Sequence, residues 1–135
     1  MNKIFADAFF WIAIANPSDQ WHSTAKRFNR ANPNAVLVTT DEVLTEFLNY
    51  FSNVGGQHRR IVSQMCDGIL THPNITVYAQ THDSFLKGLD LYSRRPDKGY
   101  SLTDCSSMAL MRELGLTEVL THDKHFAQEG FRVLL

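Results

Sequence analysis

The sequence predicts an α/β fold: one domain with a central, mostly parallel sheet of about five strands and helices on both faces. Short runs of four or five apolar residues recur along the chain, and amphipathic stretches of helical length separate them. Strands that alternate with helices form βαβ units, whose crossovers make the sheet parallel and cover its two faces. No repeat, low-complexity tract or linker interrupts the 135 residues, so we expect a single domain over residues 1–135.

The first strand is predicted at "KIFA", Lys3–Ala6, and an apolar helix follows it to about Ala15. Ser18 is a candidate N-cap for a second helix. Three apolar or aromatic residues recur in that helix at helical spacing, namely Trp21, Ala25 and Phe28.

The second and third strands are predicted at "AVLV", Ala35–Val38, and "NITVY", Asn74–Tyr78. Two helices are expected between them. The first begins at the capping residues of "TTD" and reaches about Val54, where a glycine pair breaks it. The second covers about Gln57–Leu70.

The C-terminal part is predicted to add two strands, "EVLT" and "FRVLL", on either side of a short helix near His125. Two longer helices precede them, at Thr81–Arg94 and at about Thr103–Leu114. The Thr81–Arg94 helix carries four large apolar residues on one side, Phe85, Leu86, Leu89 and Tyr92. This side, like the apolar residues near Phe51, suits either the core or a dimer contact.

The overall charge, the N-terminal segment and the cysteines argue against several classes of protein. The net charge is −1, whereas modules that only bind nucleic acid usually carry a basic excess. The apolar N-terminus is interrupted by Lys3 and Asp7 and is too short to span a bilayer, so we expect no membrane contact. Cys66 and Cys105 lack metal-ligand spacing and are predicted to be reduced core thiols of a cytoplasmic protein.

Four acidic residues are predicted to meet at one edge of the sheet. Asp7 follows the first strand directly, and Glu46 lies in the second turn of the helix after the second strand. Asp104 begins the helix before the fourth strand, and Asp123 comes just after that strand. The carboxyl ends of parallel strands and the starts of the following helices share the edge where ligands of open α/β sheets usually bind.

Each acid also has a purely structural explanation. Asp7 and Asp123 could simply end strands, and Glu46 could be a solvated helix residue. Asp104 could complement the positive end of a helix dipole, although Thr103 is already available as a cap and Asp104 falls on an apolar stripe. All four explanations would have to hold together, which favours a shared site.

Such a cluster predicts metal-assisted hydrolysis of a phosphodiester. Carboxylates within a few ångströms repel one another and raise each other's pKa values. Mg²⁺ or Mn²⁺ relieves this repulsion because these ions take oxygen ligands and bridge to substrate phosphates. The ion also lowers the pKa of a bound water.

At these residues the sequence resembles PIN-domain ribonucleases, of the small single-domain kind known as VapC-type toxins. The most specific match is "DKGYSLTDCSSMALMRELGLTEVLTHDKHFAQEGF", which carries Asp104 and Asp123. "VLVTTDEVLTEFLNYF" matches the segment with the family's helical acid, which falls on Glu46, and "FADAFFWIA" matches the segment with Asp7. The resemblance covers nearly the whole chain.

The resemblance implies a Mg²⁺- or Mn²⁺-dependent endoribonuclease whose metal-binding and catalytic residues are Asp7, Glu46, Asp104 and Asp123. It also implies an RNA substrate, frequent dimerisation and inhibition by a cognate antitoxin. One departure concerns Ala8, which stands where many members carry a Thr or Ser hydroxyl after the first acid.

Three alternatives stay open at this point. A receiver-like signalling domain also gathers acids and Mg²⁺ at one sheet edge, but Asp7 stands alone where that class pairs its acids. A housekeeping PIN domain, or a catalytically inactive one that binds only RNA or protein, would share the fold. His122 and His125 flank Asp123, where one of them could assist the substrate or the metal, but we favour surface or helix-capping roles for both. Some basic residues suit either phosphate contacts or a solvated loop, namely Arg94, Arg95, Lys98 and Lys124.

Overall fold

The predicted sheet is confirmed in a computed structural model, which describes residues 2–135. Five strands form one sheet in the order β3-β2-β1-β4-β5, and every neighbouring pair is parallel. In chain order the strands are β1 (Lys3–Ala6), β2 (Val36–Thr40), β3 (Ile75–Tyr78), β4 (Glu118–Leu120) and β5 (Arg132–Val133).

Seven helices of the described residues flank this sheet. They are α1 (Ala8–Ala15), α2 (His22–Ala31), α3 (Asp41–Tyr50), α4 (Gly56–Thr71), α5 (His82–Arg94), α6 (Leu102–Leu114) and α7 (Lys124–Gln128). Over residues 2–135, none of them combines the length and the apolar character that a bilayer crossing requires.

The strand order fixes where a ligand can bind. The chain runs outward from β1 through β2 to β3, and then returns to the other side of β1 for β4 and β5. The switch point of the sheet therefore lies between β1 and β4, where open α/β sheets bind their ligands. A receiver-like domain has the order 2-1-3-4-5 instead, so the observed topology excludes that alternative.

The core joins the sheet to the helices that carry the acids. Phe5 of β1, Phe10 of α1, Phe47 of α3, Met108 of α6 and Phe126 of α7 are all fully buried. Burial of a side chain of this size stabilises the fold by roughly 1.5–3 kcal/mol. The same packing therefore holds α3, α6 and α7 at fixed positions around the switch point.

The prediction of Ser18 as a helix cap is wrong. Helix α2 begins only at His22, and its N-cap residue makes no side-chain capping bond. The side chains of Asn16 and Asp19 accept hydrogen bonds from the backbone N–H groups of Ser18 and Trp21. These local bonds favour turns over helix, so the segment before His22 stays irregular.

Two other helix ends differ between the prediction and the structure. Ser101, and not Thr103, caps α6, because the Ser101 hydroxyl accepts from the backbone N–H of Asp104. Helix α3 ends at Tyr50 rather than near Val54, since residues after it form turns before Gly55, whose φ is +105°.

The apolar side of α5 is only partly used by the core. Helix α5 faces α6 through Gly88 and Leu91 and leaves four large residues exposed by 36–51%: Phe85, Leu86, Leu89 and Tyr92. Phe51, by contrast, is buried in the core. Cys66 and Cys105 are both free and buried, as predicted.

Candidate metal centre

Asp7 lies at the switch point itself. Its backbone N–H donates to the carbonyl of Leu120 at 3.2 Å, which continues the pairing of β1 with β4. The side chain is almost fully buried, and its Oδ2 accepts a hydrogen bond of 3.0 Å from the Thr121 hydroxyl. Its Oδ1 is buried without a partner among the described residues. Burial, followed by the charges of Asp104 and Glu46, raises the pKa of Asp7 to about 8.

Asp104 has a capping role and also faces the cluster. It is the third residue of α6, and its Oδ2 accepts from the backbone N–H of Ser101 at 3.2 Å, which completes a capping box. The side chain is nevertheless buried, as expected from its place on the Met108 stripe. Burial is the main reason why the pKa of Asp104 is raised. The structural and functional explanations of this acid are thus compatible.

Asp123 is held by the turn that connects β4 to α7. It is the N-cap residue of α7, and its Oδ1 accepts from the backbone N–H of His125 at 2.9 Å. Its own N–H donates to the hydroxyl of Thr121 at 3.1 Å. The hydroxyl that orients Asp7 therefore also anchors the segment that carries Asp123.

Glu46 lies on the second turn of α3 and is more exposed than the three aspartates. Its pKa is still raised, first by burial of the carboxyl and then by the charges of Asp104 and Asp123. Glu46 in turn raises the pKa of Asp7. The four acids predicted from the sequence are therefore close enough to act on one another electrostatically.

His125 belongs to the same cluster, contrary to the prediction of a surface or capping residue. Its Nδ1 lies 3.3 Å from Asp104 Oδ2 and 3.3 Å from Asp123 Oδ1. The three residues offer ligand atoms that all lie within 4.8 Å of one another. The sequence signal was the spacing: His125 follows the strand-ending Asp123 by two residues, at the start of a helix.

Comparisons with known proteins show which family the chain belongs to. The sequence pattern of the PIN domain matches residues 4–131, nearly the whole chain. The chain belongs to the PIN domain family. In two strains of Mycobacterium tuberculosis, the protein named 23S rRNA-specific endonuclease VapC20 is 31% identical over 128 residues, which are 95% of each chain.

Solved structures agree with the fold of this PIN domain. The crystal structure of Mycobacterium tuberculosis VapC20, described as a sarcin–ricin loop cleaving toxin, has a TM-score of 0.84 at 29% identity and covers 95% of both chains. FitAcB from Neisseria gonorrhoeae has a TM-score of 0.66 at 14% identity, and this similarity concerns the fold alone.

A second set of charged side chains in this PIN domain is centred on Glu129, directly after α7. The Glu129 carboxylate is 5% exposed and accepts hydrogen bonds from Arg95, Arg112 and Tyr100. The bond from Arg95 is the main reason why the pKa of Glu129 falls to about 2. Arg95 is therefore occupied within the protein, and Arg94 likewise pairs with Asp90. Because two hydrogen bonds hold Arg95 on the buried Glu129 carboxylate, Arg95 is unsuited to a phosphate contact.

The donor set fits a hard divalent cation. None of the ion pairs among residues 2–135 joins Asp7, Glu46, Asp104 or Asp123 to a lysine or arginine. The pKa values of Asp7, Glu46 and Asp104 are raised, and Asp7 has a buried oxygen without a partner among residues 2–135, so these groups are charged at a cost unless a cation neutralises them. Carboxylate oxygens are the ligands that Mg²⁺ and Mn²⁺ prefer, and the imidazole adds one nitrogen donor.

Proposed function

We propose that this PIN domain is a divalent-metal-dependent endoribonuclease in which Asp7, Glu46, Asp104 and Asp123 hold Mg²⁺ or Mn²⁺. The observation that carries the proposal is Asp7, a buried carboxyl with one unpartnered oxygen and a pKa of about 8 beside other acids. A bound divalent ion supplies Lewis-acid polarisation of a phosphate oxygen and a lowered pKa for a coordinated water.

The protein's own contribution is to orient the ligands. The Thr121 hydroxyl fixes Asp7 and the turn of Asp123, while the Ser101 backbone fixes Asp104. His125 contacts both Asp104 and Asp123 and can hold their carboxylates in a common orientation. Hydrogen-bonded neighbours of this kind keep carboxylate ligands in place and so raise metal affinity.

For the substrate and partners, we propose cleavage of ribosomal RNA in the cytoplasm by a toxin that a cognate antitoxin inhibits. The support is the similarity over 95% of both chains to a protein named as a 23S rRNA-specific endonuclease. Expression of the chain alone should arrest bacterial growth, and co-expression of a short protein encoded beside it should restore growth. Unimpaired growth would favour a housekeeping role.

The metal-dependent activity is tested by replacing a proposed ligand with its neutral isostere. Asp104→Asn and Asp7→Asn should each reduce Mn²⁺-dependent cleavage of ribosomal RNA by about 100-fold or more, equivalent to about 2.7 kcal/mol of transition-state stabilisation. Asp67→Asn, in α4, is the control and should retain activity. Wild-type rates in both site variants would refute the assignment.

A catalytically inactive PIN domain is distinguished by titration with Mn²⁺ in a calorimeter. The wild-type protein should bind the ion, and Asp104→Asn should bind it more weakly because one charged ligand is lost. Absence of Mn²⁺ binding to a folded wild-type protein would favour the inactive alternative.

We also propose that the exposed side of α5 is the contact between two copies of the chain. Phe85, Leu86, Leu89 and Tyr92 form a continuous exposed apolar stripe, and such stripes commonly mark interfaces. Light scattering should give a dimer mass for the wild-type protein and a monomer mass for Leu89→Glu. The control is Leu70→Glu on α4, where the leucine is exposed by 53%. A monomeric wild-type protein would contradict this interface.

A further inference from the structure

Three aromatic rings from separate segments meet beside the acidic cluster. The His122 ring stacks on Trp21 with centroids 4.8 Å apart and an interplanar angle of 10°. On another side it contacts the ring of Phe9, with centroids 4.3 Å apart and a tilt of 48°. We call Phe9, Trp21 and His122 the aromatic cluster. The core accounts for only part of it: Trp21 packs against the core, whereas Phe9 is exposed and His122 is half-buried.

The aromatic cluster is anchored on the two segments that supply the buried end of the metal centre. Phe9 lies two residues after Asp7, in the first turn of α1. His122 lies between Thr121, whose hydroxyl binds Asp7, and Asp123. Two of the three rings therefore belong to residues within two positions, along the chain, of a carboxylate of the metal centre.

The third ring is fixed in place by its own segment. The backbone N–H of Trp21 donates to the side chain of Asp19 at 2.8 Å. The next residue, His22, is bonded through its Nδ1 to the carbonyl of Ala13 in α1 at 2.7 Å. These bonds tie the start of α2 to α1, so the stack of Trp21 on His122 is organised before any ligand arrives.

Phe9 leaves surface free for a ligand. It is 38% exposed although its neighbour in α1, Phe10, is fully buried. His122 makes no side-chain hydrogen bond to any of residues 2–135, and its ring contacts those of Phe9 and Trp21. The exposed Phe9 ring, held against His122, suits a ligand that is itself flat and aromatic.

We propose that the aromatic cluster is a stacking subsite for an unpaired nucleobase next to the phosphate that is cleaved. This inference rests on the proposed nuclease function. Single-stranded nucleic acids bind proteins by stacking bases on aromatic side chains while cations follow the backbone. The aromatic cluster supplies such a ring surface, and two of its rings lie on the segments that carry Asp7 and Asp123.

The test measures cleavage of a synthetic hairpin RNA carrying the sarcin–ricin loop sequence, with Mn²⁺ present. Phe9→Leu keeps an apolar side chain and removes the aromatic face, so KM should rise roughly tenfold with little change in kcat. Phe9→Trp should restore KM to the wild-type value or below it. Tyr50→Leu is the control, since Tyr50 is 53% exposed and its ring also contacts an aromatic ring, that of Phe51, at 5.0 Å.

A second measurement identifies the base as the group that stacks. Hairpins with one abasic nucleotide on either side of the cleavage site are compared in the wild-type protein and in Phe9→Leu. Where the missing base is the stacked one, the two changes should be non-additive, because each removes the same contact. Strict additivity at every flanking position would overturn the inference, as would unchanged KM for Phe9→Leu.

The outcomes also separate this inference from the proposed function. If the wild-type protein cleaves RNA and Phe9→Leu cleaves it with the same KM, only the stacking subsite is refuted. If the wild-type protein cleaves no RNA although it binds Mn²⁺, the proposed function and the subsite fail together. If Phe9→Leu weakens only the antitoxin complex, the rings form a protein contact and the nucleobase assignment is wrong.

Discussion

Thr121 links two acids of the candidate centre through a single hydroxyl. Its Oγ1 donates to Asp7 Oδ2 at 3.0 Å and accepts from the backbone N–H of Asp123 at 3.1 Å. The residue is fully buried, so water cannot replace either bond. Where many PIN domains carry a hydroxyl directly after the first acid, this chain has Ala8, and the hydroxyl that reaches Asp7 comes from Thr121, directly after β4.

We expect Thr121→Val to weaken Mn²⁺ binding by about 10–100-fold, the usual cost of losing a group that orients a metal ligand. It should also lower the free energy of unfolding by about 1–3 kcal/mol, because a buried N–H is left without a partner. Calorimetric titration and denaturant unfolding measure the two effects. Thr121→Ser keeps the hydroxyl and is the control. Equal Mn²⁺ affinity in Thr121→Val and the wild-type protein would show that the hydroxyl does not orient Asp7.

His125 offers a nitrogen to a site otherwise composed of oxygens. Its Nδ1 lies 3.3 Å from both Asp104 Oδ2 and Asp123 Oδ1. Imidazole suits transition ions better than Mg²⁺, so His125→Ala should lower the affinity for Mn²⁺ more than the affinity for Mg²⁺. Titrations with each ion measure the ratio, and His58→Ala, in α4, is the control. A ratio that is unchanged would indicate that His125 orients the carboxylates without binding the ion.

The sequence was informative about the acids because their placement follows from periodicity and strand ends. Asp104 could be predicted from the 3.6-residue stripe it shares with Met108, and Asp7 from the end of β1. Their assignment as catalytic and metal-binding residues stays a prediction. The contributions of His125 and Thr121 were not predicted, because the spacing of His125 after Asp123 does not show how the turn between β4 and α7 folds back on the cluster.

At the scale of helices, α5 approaches α6 closely at Gly88. A Cβ atom added to Gly88 would overlap the Ser106 hydroxyl and lie 3.1 Å from both the Cα and the N of Ser106. The two helices can approach this closely only because residue 88 has no side chain. Since α6 carries Asp104 in its first turn, this contact also helps to set the position of Asp104.

Gly88→Ala should therefore destabilise the protein by about 1–3 kcal/mol, the usual cost of overpacking. Gly68→Ala is the matched control, because Gly68 also lies within a helix and nothing lies within 4 Å of its added Cβ. That control should stabilise the protein by roughly 0.5–1 kcal/mol, since alanine favours helix over glycine. Denaturant unfolding measures both, and equal effects of the two substitutions would show that the helices separate at little cost.

The elements themselves were predicted well and their ends less well. The helix expected over Thr81–Arg94 is observed as His82–Arg94, because a long amphipathic pattern identifies a helix reliably. The start of α2 was wrong because the Asn16 and Asp19 side chains stabilise turns, a competition that periodicity does not register. From the sequence, the apolar side of α5 suited either the core or a dimer contact. The reason is that its apolar residues extend beyond the surface that α6 covers.

At the scale of the whole molecule, two buried carboxyl groups give opposite pH dependences of stability. Burial raises the pKa of Asp7 from 3.8 to about 8, so the folded protein retains a proton that the unfolded chain releases. This contribution to stability is complete below pH 3.8 and is lost as the pH rises to about 8. Glu129 behaves in the opposite way, because hydrogen bonds lower its pKa from 4.5 to about 2. Its contribution is present above pH 4.5 and is lost as the pH falls towards 2.

If only these two groups are considered, the metal-free protein should be most stable near pH 4–5. Its stability should fall as the pH rises towards 8. Asp7 alone contributes a slope of up to about 1.4 kcal/mol per pH unit on the alkaline side. Thermal unfolding in EDTA at a series of pH values measures the profile. Asp7→Asn should flatten the alkaline side, because the asparagine cannot ionise, and should leave the acid side unchanged.

Mn²⁺ should act on the same side of the profile as Asp7→Asn. The ion binds the ionised carboxylate, so it displaces the retained proton and stabilises the folded protein by mass action. Its stabilising effect on the wild-type protein should therefore increase from pH 5 to pH 8 and be much smaller in Asp7→Asn. If wild type and Asp7→Asn gave parallel profiles with and without Mn²⁺, Asp7 would be neither the source of the alkaline instability nor a ligand of the ion.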